Sequence, residues 1–257
     1  MTDVTEQDAA LKNAQTQIQA GNFAAASDIA RAVLATQPAH KNALYIAAVC
    51  ARYEGRHADA SARLAELMTV APDYGRAHQE EGHLKRALGD TDGALRAYER
   101  ATRFNPALIA SWTRQAELQA IAGNQQAAAN ARAQSERMKA LPRELLAVTN
   151  HVHEGRIFRG EEIARAFLRQ HPTHVEAMRL LADIGTRLSV HEDADFLLES
   201  AIELEPDNIQ LRLDYIQALR KRQKYTQALE QARALISARS WQNCPTTRRH
   251  LYPTAMP

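Results

Sequence analysis

Histidine, cysteine and arginine are the side chains here with chemistry to offer, and their spacing decides which can act together. His151, His153 and Glu154 form an H-x-H-E string, and His171 and His174 flank Pro172. A zinc site wants three or four convergent ligands. On a helix, residues i and i+2 point away from each other, so His151 and His153 cannot share a metal. His171 and His174 fall in a connection with no third ligand beside them. They read as surface histidines, and no metal is expected. The two cysteines, Cys50 and Cys244, lie in different regions. That spacing suits neither a metal site nor a disulfide framework and fits free thiols in a reducing compartment. Cys50 sits in the apolar run from Ala43 to Ala51, a place for packing, whereas a reactive thiol wants a cationic, partly exposed setting. No phosphate-cradling G-x-x-x-x-G-K-[ST] or G-x-G-x-x-G loop and no G-x-S-x-G elbow occurs. No catalytic residue and no cofactor are expected.

Arginine is more informative. Arg52 and Arg86 stand 34 residues apart, and 34 is the period of the chain around them. Steps of 34 from Gly89 reach Gly55, Gly21 and Gly123; a step of 32 reaches Gly155, and two more of 34 reach Ser189 and Gln223. Five residues past these points stand Ala26, Ala60, Ala94, Ala128, Gly160, Ala194 and Ala228. Seventeen past them stand Pro38, Pro72, Pro106, Ala140, Pro172, Pro206 and Ser240. A third column, seven before the turn, holds Ala14, Ala48, Gly82, Ala116, Val148, Ala182 and Ile216. Glycine takes the left-handed conformation that ends a helix and turns the chain back at once. Small residues belong where two helices cross closely. Proline lacks an N–H and restrains the residue before it, so it stops the second helix.

A 34-residue helix–turn–helix period with these columns resembles the tetratricopeptide repeat. The resemblance implies an all-α chain, an α-solenoid of about seven repeats in a right-handed superhelix, because one hairpin cannot bury its apolar face alone. The expected boundaries are a lead-in over 1–6, repeats at 7–40, 41–74, 75–108, 109–140, 141–172, 173–206 and 207–240, and an irregular tail over 241–257. The fifth repeat is two residues short and begins near Pro142, so a shortened first helix and a local change of path are expected there. The tail has three prolines, no acid and no helical period. It is either a disordered extension or the mark of a chain cut or frame-shifted near residue 238. The missing cap leaves an end through which copies could self-associate.

In such arrays the first helix of each repeat lines the concave groove. In this register Tyr45, Arg52, Tyr53, Arg76, Gln79, His83 and Arg86 point there, followed by Arg179, Arg187 and Arg220 further on. Arg52, Arg76 and Arg86 with the two tyrosines form a candidate seat for an extended peptide bearing acidic groups, since arginine forks grip carboxylates and tyrosines give rigid contact area. The clamp of chaperone-tail binders wants Lys and Asn in its first repeat, and Leu11 and Gln15 stand there. That activity is not carried over.

The run from Gly21 to Trp112, opening GNFAAASDIARAVLATQPAH, is similar to the N-terminal repeats of bacterial tetratricopeptide-repeat sulfotransferases. There, a catalytic domain using the sulfate donor PAPS follows the array. Its P-R-S-G-T-type loop has no counterpart here, for Leu141-Pro142-Arg143-Glu144 lacks the Ser-Gly-Thr. Two functions follow: a non-catalytic scaffold binding a partner protein or peptide, or the substrate-docking part of a sulfotransferase. Net charge is +2, of which the last 23 residues hold +3, leaving 2 − 3 = −1 on the repeats. That balance argues against a nucleic-acid binder. The N-terminus lacks a basic start with an apolar core, and the nine-residue run Ala43 to Ala51 is too short for a bilayer, so a soluble cytoplasmic protein is expected.

Overall fold

The computed structural model describes the backbone of residues 2–242 and the side chains of residues 6–236, and every regular element among them is a helix. The order is α1 (Thr2–Gln19), α2 (Phe23–Thr36), α3 (Lys41–Tyr53), α4 (His57–Val70), α5 (Gly75–Ala87), α6 (Thr91–Phe104), α7 (Ile109–Ile121) and α8 (Gln125–Ala140). It continues with α9 (Arg143–His153), α10 (Ile157–Gln170), α11 (Val175–Arg187), α12 (His191–Leu204), α13 (Ile209–Lys221) and α14 (Tyr225–Gln242). The chain divides into two compact units, Met1–Ile157 and Phe158–Pro257. The first stacks the antiparallel hairpins α1–α2, α3–α4, α5–α6 and α7–α8 and ends with α9; the second holds α10 and the hairpins α11–α12 and α13–α14, an α-solenoid arrangement in each. No described helix is long and apolar enough to cross a membrane.

One turn geometry closes the hairpins. Gly21, Gly55, Gly89, Gly123 and Gly155 lie at φ between 76° and 85°, and Ser189 and Gln223 take the same left-handed conformation at 63° and 59°. The next N–H then reaches back five residues to a first-helix carbonyl: Asn22 to Gln17 at 2.8 Å, Asp90 to Lys85 at 2.9 Å, Val190 to Gly185 at 2.8 Å, Lys224 to Leu219 at 3.0 Å. This satisfies carbonyls that the helix end would otherwise orphan.

Small columns mark the helix crossings. Ala14, Ala26, Ala48, Ala60 and Ala94 in the first unit and Ala182 and Ala194 in the second are at most 2% exposed. At Gly82 a Cβ would come within 2.6 Å of the Tyr98 ring, which is fully buried. The apolar filling is Leu11, Val33, Leu44, Ile46, Leu64, Leu67, Tyr74 and Leu84 in the first unit, and Leu198, Leu211, Tyr215 and Leu219 in the second. Each such leucine contributes about 1.5–3 kcal/mol on burial.

Where the proline column is kept, the second helix stops two residues before it: α2, α4, α6, α10 and α12 end at Thr36, Val70, Phe104, Gln170 and Leu204. Alanine at position 140 lifts that stop. Helix α8 runs on to Ala140, 16 residues against 14 in α6, and ends only at Leu141 and Pro142, which are extended (ψ 141° and 142°). Helix α9 is left with 11 residues against 13 in α7. At the other end, helix α14 continues to Gln242, two residues past the point where the repeat pattern was expected to stop. The remainder of the expected irregular tail, from residue 243, lies outside the described residues, as does Cys244.

Candidate functional site

Helices α3, α5 and α7 present their side chains on one face of the first unit, and a step of 28 residues joins two pairs of facing positions there. The step from Arg52 reaches Glu80. The two form an ion pair, Arg52 Nε to Glu80 Oε2 at 2.8 Å, with side chains only 16% and 7% exposed. Burial pushes the Glu80 carboxyl up, and the Arg52 guanidinium pulls against it. That guanidinium also lies over the Tyr53 ring at 4.2 Å, and Tyr53 stacks on Phe23 with centroids 4.4 Å apart.

The same step from Arg86 reaches Arg114. The step from Arg52 reaches a carboxylate, and the step from Arg86 reaches a like charge on the same basin, while the Arg86 side chain itself reaches the Tyr98 hydroxyl. Arg114 turns to Glu117 on its own helix at 2.6 Å, an exposed pair of the kind that contributes little. Among the described residues Arg86 forms no ion pair. Arg52, Tyr53, His83, Arg86, Ala87 and Arg114 line an open basin of about 520 Å³. At its side His83 Nδ1 and the Tyr98 hydroxyl are hydrogen-bonded at 2.7 Å. Burial, helped by Arg52, Arg86 and Arg114, pushes His83 down from 6.5 to about 4. The ring is therefore neutral near neutral pH, and the positive charge of the basin comes from arginine alone. Such a basin can hold an anion, and a carboxylate between Arg86 and Arg114 would complete the arrangement that Glu80 completes at Arg52.

The other expected groove residues lie elsewhere. Arg76 opens α5 ten positions before Arg86, about 15 Å away along the helix, and lies outside the basin that Arg52 and Arg86 line. Arg76 Nε instead donates to Glu154 Oε1 at 2.5 Å. Tyr45 is beside Arg76, edge-on to Tyr74 at 5.8 Å. Gln79 Oε1 accepts from Ser111 Oγ at 3.1 Å. In the second unit Arg179 grips Glu176 through two nitrogens, at 2.8 and 2.7 Å, and Asp214 through a third at 3.1 Å. Arg187 pairs with Asp183 at 2.8 Å, and Arg220 is exposed near the end of α13.

The histidines are structural. Arg156 Nε donates to His151 Nδ1 at 2.8 Å. His171 and His174 both pack on Phe167, at 4.6 and 5.1 Å. His174 also caps α11 by accepting from the Ala177 N–H, as His40 does for α3 from Ala43. No metal-binding group of three His, Cys, Asp or Glu converges among the described residues. Cys50 is fully buried, and that burial pushes its thiol up to about 11, which suits packing and not nucleophilic attack.

Glu80 and Arg114 carry no mark in the 34-residue period, and Glu154 stands out along the chain only as the end of the H-x-H-E string. The 34-residue comparison aligns equivalent positions, whereas Glu80 and Arg114 face their partners at an offset of 28. That offset was present in the sequence. The pairing of Glu154 with a residue 78 positions away left no periodic signal at all.

Residues 11–77 match the tetratricopeptide repeat family. No curated protein matches the chain. Among solved structures, the Naa15/Naa10 complex bound to HypK-THB is similar over 91% of this chain and 36% of that one, at 18% identity and a TM-score of 0.48; the chain thus spans little more than a third of that relative's length. A tetratricopeptide repeat protein from Parabacteroides merdae aligns over 91% and 93%, at 15% identity and a TM-score of 0.44. YrrB, described as a tetratricopeptide-repeat protein with an unusual peptide-binding site, aligns over 83% and 90%, at 15% identity and a TM-score of 0.38. The match to the tetratricopeptide repeat family covers residues 11–77, and the left-handed hairpin turns recur beyond it, from Gly89 to Gln223.

Proposed function

We propose that the chain is a non-catalytic scaffold that binds an extended segment of a partner protein, with a partner carboxylate seated between Arg86 and Arg114. The observation that carries this reading is the broken symmetry of the inner face: Arg52 is matched by Glu80, and Arg86 is matched by Arg114. Tyr53, 56% exposed and held between Phe23 and Arg52, offers a rigid platform beside the seat. A reducing cytoplasmic setting goes with this reading, since Cys50 is a free thiol. Substrate docking for a sulfotransferase rests on repeat texture alone, and none of the matches above is to such an enzyme.

The test is fluorescence anisotropy with labelled hexa-glutamate, hexa-glutamine serving as the control. Saturable binding of the acidic peptide is expected, weakening at about 0.5 M salt because the basin is open to solvent. Arg86→Glu should weaken it about tenfold or more. Arg114→Glu should do the same while supplying Arg86 with an internal partner. Equal binding by wild type and Arg86→Glu would remove the basin as the site.

A further inference from the structure

We infer that the inner face of the first unit carries a second carboxylate seat, built around Arg76 with Lys41, Tyr45 and Tyr74, and that Glu154 of the same chain fills it in place of a partner's acidic side chain. The seat is visible because a carboxylate is in it. Arg76 Nε donates to Glu154 Oε1 at 2.5 Å, and the Glu154 side chain is only 6% exposed although it stands in a hairpin turn. Tyr74 is buried, edge-on to Tyr45 at 5.8 Å, and the Lys41 ammonium lies over its ring at 4.9 Å.

The turn after α3 separates local chemistry from the long-range contact. There Glu54 occupies the equivalent place and pairs with Arg56, as Glu154 pairs with Arg156. Glu54 stops at that pair and keeps 27% of its side chain exposed. Turn chemistry thus accounts for Glu154 with Arg156 and not for Glu154 with Arg76. The extra reach goes with the altered repeat. The lengthened α8 and the extended Leu141-Pro142 link precede α9, and α9 meets the earlier hairpin a second time through Asn105 Nδ2, which donates to Asn150 Oδ1 at 3.0 Å.

The two seats predict the spacing of the partner's acids, a step that rests on the groove-binding reading above. Arg76 and Arg86 are about 15 Å apart along α5. An extended peptide advances about 3.3–3.6 Å per residue. One carboxylate at each seat therefore requires two acidic residues four to five positions apart, the second entering by displacing Glu154.

The experiment uses the full chain and two labelled peptides, Glu-Ser-Gly-Ser-Glu and Glu-Ser-Gly-Ser-Gln, with amidated C-termini. Glu154→Gln frees the seat, and Glu154→Asp shortens the reach by one methylene while keeping the charge beside Arg156. Circular dichroism checks that each variant keeps its helices. Glu154→Gln should bind the two-glutamate peptide about tenfold tighter than wild type, with a smaller gain for Glu154→Asp and none for the one-glutamate peptide. Adding Arg76→Gln should cancel the gain. No gain in either variant, an equal gain for both peptides, or a gain that survives Arg76→Gln would overturn the proposal. Arg86→Glu with the one-glutamate peptide tests the basin separately, so failure of one seat is distinguishable from failure of the other.

Discussion

Ser189 and Gln223 hold the left-handed turn conformation at φ 63° and 59°, where five other hairpins use glycine. A Cβ in that region costs about 1–2 kcal/mol, and glycine returns about half of the gain in unfolded-chain entropy. Ser189→Gly and Gln223→Gly should each stabilise the second unit by about 0.5–1 kcal/mol, read as a rise in urea midpoint without a change in slope. Gly89→Ala should cost about 1 kcal/mol through backbone strain alone, because no neighbouring atom lies within 4 Å of the added Cβ. At this scale much was legible. The glycine column marks every left-handed turn among the described residues, including the two where the glycine is missing. The roles of Arg76 and Arg86 were not, since both are arginines on α5 and only their partners distinguish them.

At the scale of the element, the alanine columns are the strictest part of the design. Ala94 is fully buried at the α5–α6 crossing, close to where Tyr98 packs on Gly82. Ala94→Leu should destabilise the first unit by about 1–3 kcal/mol, because a packed crossing has no room for three more carbons; an unchanged thermal midpoint would contradict close packing there. Helix ends also follow single residues. Proline at 38, 72 and 106 stops α2, α4 and α6, and alanine at 140 lets α8 run two residues further. The two-residue deficit and Pro142 point to a short α9. The longer α8 has its mark in the same column, where alanine replaces proline at 140.

At the scale of the whole molecule, neighbouring hairpins stabilise one another, so a perturbed group weakens its unit more than its own helix. The first unit holds two groups whose pKa values are depressed by folding. His83 goes from 6.5 to about 4 through burial and the arginines around it. Burial alone would raise Glu81, but hydrogen bonds from His78, Arg100 and Lys85 take it from 4.5 to about 2. Below pH 6.5 the unfolded chain protonates His83 while the folded one resists until about 4. Stability should therefore fall as pH drops through that window. The Glu81 contribution, complete above pH 4.5, should be lost between 4.5 and about 2. Urea midpoints measured from pH 7.5 to 3 would show the decline, and His83→Gln should flatten its upper part.

The period, the turn positions, the small-residue crossings and the absence of recognisable catalytic motifs are local or periodic properties, legible along the chain without its fold. Charge pairing was decided only by tertiary structure. Arg52 finds a carboxylate 28 residues on, Arg86 finds another arginine at that distance, and Arg76 finds Glu154 far along the chain. Ion pairs depend on distances of a few ångströms between side chains of different helices. Those distances are set by how hairpins stack and by a two-residue change in one repeat, which no pattern within a single repeat contains.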